Sequence, residues 1–156
     1  MSESIEETKR ERALRILRSR PLAPASELLG QYLMDCDPDR GWARVRYMAR
    51  PEFMNGIGVV QGGILTAMVD EAMAVACIIR GNFGIIIPTL ELKVSFLNGG
   101  KPGELFAEGQ VEKLGKSVAF LSGRLFDGDG EVVVTATATG RVLQRKPRQE
   151  QSSSTI

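Results

Sequence analysis

Residues 55–71 read NGIGVVQGGILTAMVDE, and this stretch decides the fold. Gly62-Gly63 marks a turn into a helix, and residues 64–79 read as that helix. The helix is apolar on nearly every side except at Thr66, Asp70 and Glu71. A helix hydrophobic all round is a buried one. A carboxylate on such a helix is costly unless it is paired, hydrogen-bonded or kept for chemistry.

Upstream, residues 3–18 favour a helix, with acids early and Arg15 and Arg18 late, as the helix dipole prefers. Leu14 and Leu17 give it a thin apolar stripe, and Pro21 and Pro24 stop it. Residues 28–36 and 42–50 read as a strand pair around the turn cluster DPDRG at 37–41. The side of the second strand that carries Arg44, Arg46 and Arg50 is expected to face solvent or a partner.

Downstream, the helix ends near Arg80-Gly81-Asn82, and four strands follow. In residues 86–97 Leu90, Leu92, Val94 and Phe96 share one face, and Thr89, Glu91, Lys93 and Ser95 the other. Residues 104–113, 117–126 and 131–144 supply the rest, joined by Leu114-Gly115-Lys116 and by DGDG at 127–130. One helix cannot cover both faces of so large a sheet. The simplest solution is α+β: a curved antiparallel sheet wrapped around one long central helix, with an extra N-terminal helix. The sheet's outer face and edges then need burial elsewhere, which predicts a homo-oligomer.

Composition narrows the chemistry. The 156 residues suit one domain with a real core. A net charge of +1 makes no global case for nucleic acid or a membrane surface. The apolar helix is short and interrupted by acids for a membrane span. There is no histidine, which excludes Ser-His-Asp and Cys-His catalytic groups and His-ligated zinc. Acid–base work near neutral pH then falls to carboxylates. Cys36 and Cys77 fit no metal spacing and imply no disulfide framework, which suits a reducing cytoplasm. The N-terminus, with Glu3, Glu6 and Glu7, lacks the apolar core of a signal peptide. The expected division is 1–24, N-terminal helix and linker; 25–145, the sheet domain; and 146–156, a polar disordered tail.

The order of motifs resembles the hotdog-fold acyl-CoA thioesterases of the PaaI-like and thioesterase superfamily member 2 type. Members carry an Asn, then His-Gly-Gly six residues later, then Asp or Glu nine residues after the His. Here those places hold Asn55, Gln61-Gly62-Gly63 and Asp70. The resemblance continues through PTLELKVSFLNGGKPGEL at 88–105, KLGKSVAF at 113–120 and TATGRVL at 137–143. The departure is Gln61, which can donate and accept a hydrogen bond but cannot titrate.

The resemblance implies hydrolysis of medium- or long-chain or aryl acyl-CoA, with no metal and no cofactor beyond the substrate's own CoA. It makes Asp70 the general base or nucleophile and the Gly62 N–H the group that polarises the carbonyl. Asn55 and Gln61 assist, and Gly63 permits close approach of substrate. It implies a site shared across a dimer, with Asn55 and Gly62 from one subunit and Asp70 from the other, in a dimer or tetramer. Thr89 matches a Ser/Thr that orients the water, although strand alternation puts it with Glu91 and Lys93. Phe96, Lys113, Lys116, Ser117 and Arg145 occupy places that meet the pantetheine, nucleotide or phosphates of CoA.

Other readings of the same residues stay open. Asn55 before Gly56 also suits a turn, Gln61 a helix start, and Lys113, Lys116 and Ser117 a solvated hairpin. Glu71, about 100° round the helix from Asp70, is expected to partner a basic residue. Met68, Met73 and Phe83 are candidates to line an acyl pocket. A non-catalytic acyl-CoA binding or sensing protein is the alternative function. A hydratase or dehydratase ranks lower, because those rely on a histidine.

Overall fold

The computed structural model describes residues 6–146. Helix α1 (Lys9–Ser19) is followed by a short α2 (Pro24–Leu28), strands β1 (Tyr32–Asp37) and β2 (Trp42–Ala49), and the long α3 (Gly62–Arg80). Then come β3 (Ile85–Ile86), β4 (Thr89–Phe96), β5 (Gly103–Leu114), β6 (Val118–Phe126), β7 (Val132–Arg141) and β8 (Leu143–Gln144). Six strands form one antiparallel sheet in the order β1-β2-β5-β6-β7-β4, and β3 pairs with β8. The sheet wraps α3, the hotdog arrangement expected from the sequence. By length and composition alone α3 could cross a membrane, with mean hydropathy 1.7. In the fold, Leu65, Met68, Val69, Ala72, Met73, Val75, Ala76, Cys77 and Ile79 are buried under the sheet instead.

Strand alternation builds the inner face. In β2, Ala43, Val45, Tyr47 and Ala49 point in, while Trp42, Arg44 and Arg46 point out. In β7, Val134, Ala136 and Ala138 point in and the threonines point out. Two facing glycines let the helix come close. Gly109 on β5 pairs with Gly123 on β6. A Cβ on Gly109 would sit 2.2 Å from the Ala72 carbonyl oxygen, and one on Gly123 2.8 Å from Val69. Glycine inside a strand commonly marks such an approach. Met68 and Met73 fill this layer and are fully buried, so they line no open acyl pocket, contrary to expectation. Cys36 and Cys77 are free and buried, and burial pushes the Cys77 thiol up to about 11.

Several boundaries differ from the sequence reading. The N-terminal helix begins only after Thr8, which closes a capping box with Glu11. Residues 1–5 and 147–156 lie outside the described residues, and with them nearly all of the expected tail. Pro24 does not merely stop a helix: at the first helical position its missing N–H is harmless, and it starts α2, which runs to Leu28, while the strand expected from residue 28 begins at Tyr32. Pro88 and Val142 break the two long strands predicted at 86–97 and 131–144 into β3 with β4 and β7 with β8.

The two edges of the sheet are treated differently. Helix α1 packs over β1, burying Ala13 and Leu17, and Arg18 donates to the carbonyls of Leu33 (3.0 Å) and Met34 (2.9 Å). At the opposite edge β4 pairs only with β7. Leu90, Phe96 and Leu97 at that edge are 61%, 53% and 56% exposed.

Candidate functional site

The site is assembled along the seam between α3 and β4. Gln61 caps the helix, its Oε1 accepting the N–H of Ile64 at 3.2 Å. This is the helix-start role that the sequence left open. The N–H groups of Gly62 and Gly63 donate to no acceptor among the described residues. They are free donors at the positive end of a 19-residue helix. The Phe96 ring lies over Gly62, where a Cβ would be 3.1 Å from it, so the glycine is what admits the ring.

Asn55 lies in the loop that enters α3. Its Oδ1 accepts from Ile57 (3.1 Å) and Val59 (3.3 Å), and its own N–H donates to the Val59 carbonyl at 2.8 Å. The turn reading therefore describes its oxygen, while its side-chain N–H₂ bonds nothing among the described residues.

Two turns further on, the half-buried Asp70 accepts a hydrogen bond at Oδ1 from the Thr89 hydroxyl, 2.8 Å away. Alternation put Thr89 on the polar face. A bulge between Thr89 and Glu91 shifts the register there and turns Thr89 to Asp70. Gly62 meets Phe96 and Asp70 meets Thr89, so β4 and the first half of α3 run antiparallel. Within one chain, Gly62 and Asp70 are eight residues apart, about 12 Å along the helix. A carbonyl bonded to the Gly62 N–H therefore lies out of reach of the same chain's Asp70.

Glu71 lies on another side of α3, and its partner is not a basic residue. The Ser26 hydroxyl donates to its Oε1, while Oε2 and the neighbouring Tyr47 hydroxyl are sealed from solvent without a partner in hydrogen-bond geometry. Burial pushes the Glu71 carboxyl above its ordinary 4.5, and contacts with Ser26, Tyr47 and Gln31 only partly oppose this. Tyr47, fully buried, is likewise pushed well above 10. The sequence signal missed here was Ser26, which falls between the expected linker, ending at 24, and the expected strand, starting at 28.

Lys113, Lys116 and Ser117 are exposed around the β5–β6 hairpin. That hairpin lies at the Thr89 end of the sheet, since Ala119 pairs with Gly140 and Gly140 with Thr89. Arg145 is elsewhere: its N–H donates to the Gly84 carbonyl (2.9 Å) beyond the C-terminal end of α3. Among the described residues no group of three His, Cys, Asp or Glu side chains could hold a metal ion.

Comparison with known proteins gives a consistent result. Residues 57–134 match the thioesterase superfamily. The fold superposes on a "phenylacetic acid degradation-related protein" of Ralstonia eutropha JMP134 with a TM-score of 0.75 and 35% identity, covering 83% of this chain and 98% of that one. It also superposes on the E. coli PaaI protein of the phenylacetic acid degradation operon (TM-score 0.75, 21% identity, 88% and 95% covered). A Streptococcus mutans UA159 protein bound to acetyl-CoA shares the fold as well (TM-score 0.67, 19% identity, 75% and 91% covered).

Proposed function

The chain belongs to the thioesterase superfamily as a PaaI-like hotdog thioesterase, and from that premise we propose that it hydrolyses acyl-CoA thioesters. The observation that carries the reading is the Thr89–Asp70 hydrogen bond lying on the same seam as two unused N–H donors at the start of α3. The fold's occurrence in a protein bound to acetyl-CoA supports the choice of thioester.

Hydrolysis needs an activated water or a nucleophile, and donors where charge develops on the carbonyl oxygen. Asp70 serves as general base or nucleophile, and Thr89 fixes one of its oxygens so that the other meets the water or the carbonyl carbon. The Gly62 N–H receives the oxyanion, with Gly63 leaving room beside it. The free side-chain N–H₂ of Asn55 is a further donor toward the carbonyl or the departing sulfur. Gln61 holds the helix start rather than titrating. In the general-base route, water adds to the carbonyl carbon, its proton passes to Asp70, the carbon–sulfur bond breaks, and the thiolate leaves with that proton.

The 12 Å gap within one chain is closed by a second copy. The midpoint of β4 faces the midpoint between Gly62 and Asp70. A two-fold axis there pairs the two β4 edges and covers Leu90, Phe96 and Leu97. It also sets Gly62 of one copy beside Asp70 of the other, twice per dimer. The test is release of free thiol from a panel of acyl-CoAs of varied chain length and aryl content. Saturable binding of every member without thiol release would favour an acyl-CoA binding or sensing role and overturn hydrolysis.

A further inference from the structure

At the sheet edge opposite the seam, a cavity of about 130 Å³ lies where β1, β2, α3 and the N-terminal segment meet. Strands β1 and β4 are the two outermost strands of the sheet, so the whole sheet separates this cavity from Asp70 and Thr89.

Its floor is apolar. Leu17 of α1, Leu33 of β1, Val45 of β2 and Val75 of α3 are all buried there, and Leu22 joins them from the linker. Helix α1 stops at Ser19, before it can cover this floor. Arg20 and Ala23 then have extended backbone, so the linker crosses as open chain rather than as a packed helix. A dry apolar cavity of roughly 150 Å³ takes up a benzene-sized guest. Its lining forgoes dispersion contacts until something fills it.

The rim is polar and carries two guanidinium groups, those of Arg18 and Arg20. Arg18 is committed: it donates to the carbonyls of Leu33 and Met34 and lies over the Tyr32 ring at 5.1 Å. Arg20 is half-buried, and its side chain has no hydrogen bond or ion pair among the described residues. One acid, Glu71, acts on Arg20, but it is already engaged by Ser26. Burial first, and then repulsion from Arg145, lower the proton affinity of Arg20, and Glu71 offsets only part of this.

A free guanidinium at the rim of a small apolar pocket suits one ligand class. A carboxylate matches the guanidinium fork with two parallel hydrogen bonds, and an apolar body fills the floor. We propose that this cavity binds a small apolar monocarboxylate, of the size of benzoate or hexanoate. Its carboxylate pairs with Arg20, and its body rests on Leu17, Leu33, Val45 and Val75. With the function proposed above, such an acid belongs to the reaction's own product class; the binding itself does not rest on that function.

The experiment is titration of the full chain with sodium hexanoate, followed by amide NMR shifts. Hexanoate should move the amides of Leu22, Leu33 and Val75 saturably. Arg20→Gln should weaken this by about tenfold or more, the scale of hydrogen bonds to a charged group. Arg20→Lys should recover part of the loss, and Arg124→Gln on the outer sheet face should change nothing. Hexan-1-ol, with the same body and no charge, should bind about tenfold more weakly or worse. Val75→Leu, which fills the floor, should weaken hexanoate binding and leave the melting temperature unchanged or raised. Wild-type affinity in Arg20→Gln, equal affinity for hexan-1-ol, or shifts confined to Gly62 and Gly63 overturns the site. So does a wild type that shows no saturable shift, or a lowered melting temperature in Val75→Leu, which would mean a floor already filled. A wild type that binds hexanoate here yet releases thiol from no acyl-CoA sinks the thioesterase reading and leaves this site standing.

Discussion

The Thr89 hydroxyl donates to Oδ1 of Asp70 across 2.8 Å, joining the edge strand to the central helix at the only point where a bulge turns the strand's polar face inward. The bond occupies one carboxylate oxygen and orients the other. Asp70→Asn should therefore fold normally and lose about 10²–10⁴ in turnover. Thr89→Ala should lose about tenfold, the scale of one hydrogen bond to a charged group, and Thr89→Ser should recover most of it. Thiol release with circular dichroism as the folding control decides it; near-normal turnover in Asp70→Asn removes Asp70 from the chemistry.

The proposed composite site makes a quantitative prediction about mixtures. Pro is well tolerated at the first position of a helix and has no N–H, so Gly62→Pro, made together with Phe96→Ala to clear the ring that packs over Gly62, deletes the oxyanion donor while sparing α3. This double variant and Asp70→Asn should each be nearly inactive. Unfolded and refolded together in equal amounts, half of the dimers are mixed and each mixed dimer has one intact site, so about a quarter of wild-type activity should return. No recovery would mean that each chain builds its site alone.

The facing glycines under α3 leave no room for a side chain. A methyl on Gly109 would collide with the helix backbone at Ala72, which cannot swing aside as a side chain can. Gly109→Ala should cost about 3 kcal/mol or more. Gly103→Ala, at a left-handed position with nothing nearby, should cost about 1 kcal/mol through backbone strain alone. Urea denaturation ranks the two, and equal costs would contradict the close approach.

Glu71 should make stability depend on pH. Its carboxyl binds a proton more tightly when folded than its ordinary 4.5, chiefly through burial. The folded state then holds more protons than the unfolded state, so this group's contribution falls as pH rises from about 4.5 through the folded-state value. Glu71→Gln keeps a partner for Ser26 and cannot ionise. Relative to wild type it should gain stability, on the order of 1 kcal/mol, as pH rises through that window. Melting curves of both proteins from pH 4 to 8 test this; a parallel pair of profiles would refute it.

Helix α1 is held by contacts of unequal worth. The Lys9–Asp39 and Arg10–Asp35 pairs are exposed, and breaking either should change stability by less than about 1 kcal/mol. Arg18 donates instead to two main-chain carbonyls of β1. Arg18→Ala should cost about 1–3 kcal/mol, more than Lys9→Ala, and should be less sensitive to salt.

What could be read from the sequence follows the physics of each signal. Helix α3 was legible because its apolar residues go all the way round, and β7 because Thr and Ala alternate. Asp70 stood out as an acid in an apolar run. The facing of Thr89 could not be read, since strand alternation assumes no bulge and nothing local in PTLELK announces one. Short α2 was missed because Pro24 stops one helix and starts another with the same ring. Glu71 was assigned a cation by analogy with surface pairs, but a buried acid beside Ser26 and Tyr47 is served by hydroxyl chemistry. Met68 and Met73 were read as pocket residues when the facing glycines, 14 residues apart in sequence, had already reserved that layer for the core.

The unlike treatment of the two sheet edges has a consequence for assembly. A sheet with two bare edges can recruit neighbours without end, which is how fibres grow. Here α1 lies over β1, and the Arg18 guanidinium occupies carbonyls that an incoming strand would need. Only β4 is left to recruit, and once it has met one neighbour both outer margins of the joined sheet are closed. In the proposed dimer the N-terminal helix is thus a terminator, limiting edge growth to two chains.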